Sequence, residues 1–371
     1  MPKKIVVCCD GTANQIAQNV TNVVKLYSVL VYEPGRQIAF YHPGLGTMEP
    51  PGALTGLARE TTKLMGMVFG YGLADDIRNA YVFLMKNYEP GDRVFLFGFS
   101  RGAYTVRAVA SLLKMYGLIR RDNESMVPYA TRLMLGIDRE KSKYGEGVIN
   151  YFRLADEFRQ ILSSPCKPWF VGLWDTVSSV GWIENPLRLP YVANNPDIQI
   201  GRHAVSIDER RAFFRNHLWR RPSDPDADYG PKDIKQVWFA GDHCDVGGGY
   251  AEKETGLSKI TLDWMIEEAV GAGLEVDQSK LKELLGEGNS VYTAPNANAV
   301  AHDSLRGWWN VAEVVPKRHY DWRTGRTGHK MNLWARRTIP PASLVHESAF
   351  ERTGYRSRFP LDAVMVKKSP H

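Results

Sequence analysis

The sequence predicts an α/β fold: a mostly parallel sheet with helices on both faces and a helical insertion or cap. Three observations lead there. Short apolar runs rich in β-branched and aromatic residues alternate with segments whose apolar residues recur at helical spacing. Gly, Pro, Asp and Asn punctuate the ends of those runs. One run, RVFLFGF, passes through a serine straight into a helical segment, a strand–turn–helix unit.

Each element has its own signal. Ile5–Cys9 is a strand closed by Asp10-Gly11-Thr12. Thr21-Asn22 caps a helix carrying Val23, Val24, Leu26 and Leu30. Gln37–Tyr41 is a second strand ending at Pro43-Gly44, and 48–55 is a loop rich in Pro and Gly. Leu73, Ile77, Tyr81 and Leu84 mark a helix that stops before Pro90-Gly91. Arg93–Phe97 is the third strand and Arg101–Tyr116 the helix after it. The charged, helical stretch of about 120–164 reads as an insertion, either a cap over a site or a set of outer-layer helices. Trp169–Trp174 is the fourth strand, 186–197 a loop, Gln236–Ala240 the fifth strand and Ile260–Val270 an amphipathic helix. From about residue 290 to 371 the pattern breaks into an irregular C-terminal wrap. No repeat, low-complexity tract or interdomain linker is visible, so residues 1–371 read as one domain.

Composition narrows the function classes. The 371 residues are 44% apolar and 24% charged, which excludes a disordered chain. The net charge of +6 permits peripheral contact with anionic lipid but does not argue for a nucleic-acid partner. The four cysteines fit no metal spacing and read as reduced thiols, Cys8 and Cys9 pointing to opposite faces of a strand. The N-terminal MPKKIVVCCDGT has five apolar residues after its lysines, too few for a secretory signal. No apolar run reaches the ~18 residues that would span a bilayer. The expectation is a soluble cytoplasmic protein, with signal-independent export as the other route.

The sharpest chemical signal is Gly98-Phe99-Ser100-Arg101-Gly102, a G-x-S-x-G between strand and helix. Such a turn lifts the serine hydroxyl above the sheet edge, and glycines on either side let strand and helix approach closely. The helix N-terminus puts free N–H groups where an oxyanion would form, so the N–H of Arg101 is the natural first donor. The same serine also reads as a helix N-cap. A serine nucleophile needs a base, and in this architecture the partners follow in the order Ser, Asp/Glu, His, each just past a strand. Asp175 directly follows WFVGLW, and His243 follows QVWFA by three residues. Asp175 reads otherwise as a helix cap, and His243 as a loop histidine. His302 is a competitor that follows no strand.

Asp10-Gly11-Thr12 has a second reading. Phosphatases of the haloacid-dehalogenase type place a nucleophilic Asp two residues before such a turn; here that position is Cys8, so the match is poor. In a hydrolase sheet this loop supplies the second oxyanion N–H, from Gly11 or Thr12. Asp10, Phe99 and Asp245 are candidate substrate-binding residues. Two rival functions stand beside ester hydrolysis: an inactive hydrolase-fold binding protein, and a metal-dependent phosphohydrolase using Asp10, Asp242, His243 and Asp245. No complete metal-ligand cluster is visible, and no cofactor is expected.

Residues 317–337 carry Lys317, Arg318, Arg323, Arg326, Lys330, Arg336 and Arg337 against one acid, Asp321, with Trp308, Trp309, Trp322 and Trp334 in or near the stretch. Basic and aromatic residues together suit a lipid headgroup or a phosphate-bearing substrate. Met65, Met67 and Phe69 are candidates for an acyl pocket, or for core.

Several segments together carry a resemblance: VVCCDGTANQ, YHPGLGT, DRVFLFGFSRGAYTVRAVASLL, WDTVSSVG, RHAVSIDERR and VWFAGDHCDVGGGY. The chain resembles, from about residue 3 to 355, an α/β-hydrolase domain family that includes the catalytic domain of type VI secretion phospholipase effectors. The resemblance implies an α/β-hydrolase-like fold and a Ser–Asp–His triad. Carried over block by block, the triad is Ser100, Asp175 and His243. It implies hydrolysis of lipid or acyl esters through an acyl-enzyme.

Overall fold

The computed structural model describes the chain apart from residues 1, 12–19, 45–57, 142–150, 178–180, 183–184, 187–188, 213, 220–229, 289, 308–309, 311–312, 315–316, 322–325 and 369–371. Of residues 58–71, 138–141, 181–182, 185–186, 317–321, 326–327 and 329–330 it describes the backbone alone. Thr12 and Trp308, Trp309, Trp322 and Arg323 therefore lie outside the described residues, and Met65, Met67 and Phe69 outside the described side chains.

The strands are β1 (Lys4–Cys9), β2 (Gln37–His42), β3 (Arg93–Phe99), β4 (Leu118–Ile119), β5 (Ser163–Ser164), β6 (Pro168–Trp174), β7 (Gly181–Trp182), β8 (Asn185–Pro186), β9 (Ile200–Ser206), β10 (Asp233–Phe239), β11 (Lys317–Asp321), β12 (Arg326–Lys330), β13 (Leu344–His346) and β14 (Val364–Val366). Eight form one sheet in the order β14-β13-β10-β9-β6-β3-β1-β2, and every pairing in it is parallel. The remaining six make three antiparallel pairs. The helices are α1 (Asn22–Val29), α2 (Ala58–Asn87), α3 (Arg101–Tyr116), α4 (Val127–Lys141), α5 (Tyr151–Leu162), α6 (His243–Gly247), α7 (Gly256–Gly271) and α8 (Gln278–Leu284), with a short helix at Glu347–Glu351.

A parallel sheet must be covered on both faces, and the period of two along each strand divides its side chains between them. In β3, Val94 and Leu96 pack with α2, α3, α4 and α5, while Phe95, Phe97 and Phe99 pack with α1, α7 and α8. Cys9 joins the first layer and Cys8 the second, both as buried free thiols, so the expected opposite orientation holds. Ala130, Met134, Tyr151 and Phe158 of α4 and α5 share the core of α3, the packing of outer-layer helices.

The strand order sets where a site can form. From β1 the chain steps to β2 on one side; β3, β6, β9 and β10 then build out on the other. The switch lies between β1 and β3, and in open parallel sheets ligands bind at the carboxyl ends of the strands beside such a switch. The register pairs Cys9 with Gly98, Phe99 with Trp174, Trp174 with Ala204 and Ser206 with Phe239, so these strands end level. Asp10, Ser100 and Asp175 are the next residues of three of them.

Three expectations need correction. The segment after 290 is not wholly an irregular wrap: it supplies β13 and β14, the edge of the main sheet, because Val345 pairs with Trp238 and packs in a core with Trp238 and Ile207. β9 was not expected, since Gly201, Arg202 and His203 interrupt its apolar run. The Ile260–Val270 helix is not amphipathic: Leu257, Lys259, Leu262, Asp263, Trp264, Met265 and Ile266 of α7 are all buried, as α1, α6 and the C-terminal segment cover its sides. No helix among the described residues is long and apolar enough to cross a membrane.

Candidate active site

The serine turn is built by steric exclusion. Ser100 has φ 58°, ψ −119°, a conformation that costs an L-residue on the order of 1–3 kcal/mol and persists only where its surroundings enforce it. A Cβ on Gly102 would lie 2.1 Å from the carbonyl oxygen of Cys9, so the start of α3 rests directly on the end of β1. The Ser100 N–H donates to the carbonyl of Trp174 (3.1 Å), tying the turn to the residue before Asp175. The Ser100 side chain makes no cap bond to α3, unlike an ordinary N-cap serine. Arg101 opens α3, and first-turn amides have no acceptor within the helix.

Asp175 also has positive φ, 36°, and is fully buried. Its N–H donates to Ala204. Oδ1 accepts from the Ser206 N–H (3.0 Å), and Oδ2 lies 2.6 Å from Nδ1 of His243. The Arg337 guanidinium closes on both oxygens, Nη1 at 2.5 Å and Nη2 at 3.0 Å. Burial raises the pKa of this carboxyl, but Arg337 and His243 outweigh it and hold the group well below the usual range.

His243 is the first residue of α6, whose N-cap is Asp242. Its ring is buried against Phe99 (centroids 4.6 Å apart) and edge-on to Phe214 (4.9 Å). A Cβ on Gly247 would clash with the Phe99 ring, 1.9 Å from one carbon, so only glycine lets α6 sit this close. The His243 N–H approaches Glu209 Oε2 (3.4 Å), and Glu209 is held in turn by Arg211. With Asp175 on Nδ1, the proton belongs there and Nε2 is left as the acceptor. Nε2 is buried and has no hydrogen-bond partner among the described residues.

The other expected residues are placed as follows. Asp10 is buried, with its carboxylate accepting from the Gly11 N–H (2.7 Å), the Thr21 hydroxyl (2.6 Å) and the Tyr41 hydroxyl (3.0 Å). It braces the loop after β1, and the Gly11 N–H expected for an oxyanion points to Asp10. Phe99 packs on His243 as described. Asp245 is turned away: it completes the capping box of α6 and binds His302, through the backbone N–H (2.8 Å) and Nδ1 (2.7 Å). His302 thus has its own carboxylate and is stacked on Tyr250. Among the described residues no group of three or more His, Cys, Asp or Glu is arranged to hold a metal ion.

Sequence reasoning missed Arg337, Glu209 and Asp76. Arg337 was grouped with a lipid-facing basic stretch; it is buried instead, because Asp175 supplies its counter-charge. Glu209 lies within the RHAVSIDERR block, which was the one available signal. Asp76, buried on α2, flanks His42 (3.5 Å) and Arg101. Burial pushes its carboxyl up to about 7, with Asp75 adding and Arg101 opposing. A raised carboxyl favours the neutral form in the fold. Its contribution to stability is therefore full below about pH 4 and is lost as pH rises through 7. Asp76→Asn should leave the thermal midpoint unchanged at pH 4 and raise it at pH 8, by at most about 4 kcal/mol of stability. A melting series across that range checks this; an equal effect at both pH values would refute it.

Residues 3–268 match the family described as "T6SS, Phospholipase effector Tle1-like, catalytic domain". That span is most of the chain, and the chain belongs to this family. It is similar to the uncharacterized protein YEL023C of Saccharomyces cerevisiae, 26% identical over 415 aligned positions, covering 78% of this chain and 60% of the yeast protein. It is also similar to an uncharacterized protein from Pseudomonas aeruginosa of known crystal structure: TM-score 0.45, 21% identity, 76% of this chain and 47% of that one. The chain thus spans about half to three-fifths of the length of these relatives.

Proposed function

We propose that this chain is a cofactor-independent serine hydrolase that cleaves carboxylic esters of lipids through an acyl-enzyme. One observation carries the reading. The buried His243 is fixed by Asp175 on one nitrogen and has the other unpartnered among the described residues, in the layer of strand ends where Ser100 sits on its strained turn. Ser100 Oγ attacks the ester carbonyl while His243 Nε2 takes its proton. The Arg101 N–H, at the positive end of α3, stabilises the oxyanion. The tetrahedral species collapses as His243 returns the proton to the leaving alcohol. Water then repeats the sequence on the acyl-enzyme.

Family membership supports a lipid substrate. So does a patch in the segment just before Arg337, where Met331, Leu333 and Trp334 are exposed beside the exposed Arg336. Apolar and basic groups together suit an anionic lipid surface. The groups proposed for catalysis come from residues 100 to 243, and the C-terminal segment completes the same sheet, so we read residues 1–371 as one catalytic domain.

The test is a panel of p-nitrophenyl esters of graded chain length and phospholipid vesicles, run beside a fluorophosphonate probe. The expected result is hydrolysis with probe label on Ser100, lost in His243→Ala. Turnover without label on Ser100 would overturn the mechanism. No label and no turnover would favour a binding protein on a hydrolase fold.

A further inference from the structure

The C-terminal segment holds a side chain that the triad itself does not contain. Arg337 lies beyond the span matched by the family, yet its guanidinium is buried between Asp175 and the segment 206–214. Both terminal nitrogens are engaged. Nη1 donates to Asp175 Oδ1 (2.5 Å) and to the Ser206 carbonyl (3.2 Å); Nη2 donates to Asp175 Oδ2 (3.0 Å) and to the Phe214 carbonyl. The Phe214 ring lies edge-on to His243, so the same fork touches two of the groups that hold the imidazole.

The segment that delivers Arg337 is itself anchored. Glu313 is fully buried, and its carboxylate accepts from the Ala212 N–H (2.7 Å), the Asn332 side-chain amide (2.6 Å) and the Trp334 N–H (3.1 Å). Its carbonyl accepts from the N–H groups of Asn332 and Leu333, both at 3.1 Å. Leu333 and Trp334 have positive φ, 49° and 58°, a strained pair that these bonds hold in place. Asn332 also binds the Arg210 carbonyl (2.9 Å). Glu313 therefore fastens the C-terminal strap to residues 210–212, next to the loop that carries Phe214.

We infer that Arg337, delivered by the Glu313-anchored strap, is a positioning residue that fixes the Asp175 carboxylate in the plane and orientation that orients His243. The inference rests on the serine-hydrolase reading above. A planar fork matches a carboxylate on both oxygens, which an ammonium cannot do. Without it Asp175 keeps the Ser206 N–H and His243 but can rotate about its last bond, and the imidazole loses its fixed pose. Small misplacements of this kind cost about 10²-fold in rate.

The experiment compares wild type, Arg337→Ala, Arg337→Lys and Ser100→Ala. One readout is kcat/KM on a p-nitrophenyl ester against pH. The other is the downfield proton resonance of the His243 Nδ1–H, assigned by its loss in His243→Ala. Arg337→Ala should lose about 10²-fold in kcat at little-changed KM. Its acid limb should move to higher pH, since a positive charge that opposes proton uptake by the Asp175–His243 pair is gone. Arg337→Lys, which keeps the charge and loses the fork, should fall between the two. Guanidinium added to Arg337→Ala should restore part of the rate. The Nδ1–H resonance should shift in both variants and not in Ser100→Ala. Should Arg337→Ala fail to fold, the lysine variant decides. Wild-type kcat, acid limb and resonance in folded Arg337→Lys would overturn the inference. If wild type shows no Ser100-dependent turnover, the hydrolase reading fails, while the resonance still reports on the clamp.

Discussion

Ser100→Ala should lower ester turnover by a factor of about 10⁶ and leave the protein folded. The loss follows from removing the proposed nucleophile, after which only oxyanion stabilisation and binding remain. The fold should survive because the serine hydroxyl caps nothing: the bond tying the turn to β6 runs from the backbone N–H to Trp174. Alanine has the same Cβ and bears the same cost at φ 58°. Turnover measured beside circular dichroism and a melting curve checks both halves. Retained activity would remove Ser100 from the mechanism.

Asp175→Asn should lose both activity and stability, and this is where it parts from Ser100→Ala. An amide on Nδ1 favours the wrong imidazole tautomer, which in serine hydrolases costs about 10⁴ in kcat. The stability loss has another source. The carboxylate is the counter-charge of a buried guanidinium, and breaking a buried pair by removing one partner costs about 3–5 kcal/mol. The sign with pH is fixed by the depressed pKa of Asp175. A depressed carboxyl contributes stability above its unfolded value, near 3.9, and loses it as pH falls through the folded value. The gap between Asp175→Asn and wild type should thus be full at pH 7 and narrow in strong acid. Urea unfolding at pH 7 and pH 3 measures it. A variant as stable as wild type at pH 7 would mean that Arg337 needs no counter-charge.

The parts of this fold legible from sequence were those whose signals are local. β1, β3 and β6 are nearly continuous apolar runs, β10 ends in the apolar Val237-Trp238-Phe239, and Ser100 and Asp175 follow β3 and β6 directly. β9 was hidden because Arg202 and His203 look wrong for a buried strand. Arg202 is neutralised by Asp233 and Glu268, and His203 accepts the Thr176 N–H. β13 and β14, at three residues each, are too short to show a period. The choice of His243 over His302 rested on its place just past a strand and on the HxDVGGGY block, and the structure brings His243 to Asp175 and His302 to Asp245. Arg337 was out of reach for a plainer reason. A basic residue among basic residues says nothing of a carboxylate 162 positions earlier.

The edge position of β13 and β14 bears on how the protein is made. Parallel pairing closes long loops, and contacts between distant residues form late in folding. A nascent chain that has emerged only through α7 already holds Ser100, Asp175 and His243. It lacks Glu313, Arg337 and both edge strands, and it leaves one side of β10 unpaired. Synthesis must pass Arg337 before the carboxylate is clamped, and β14 before the sheet edge is covered.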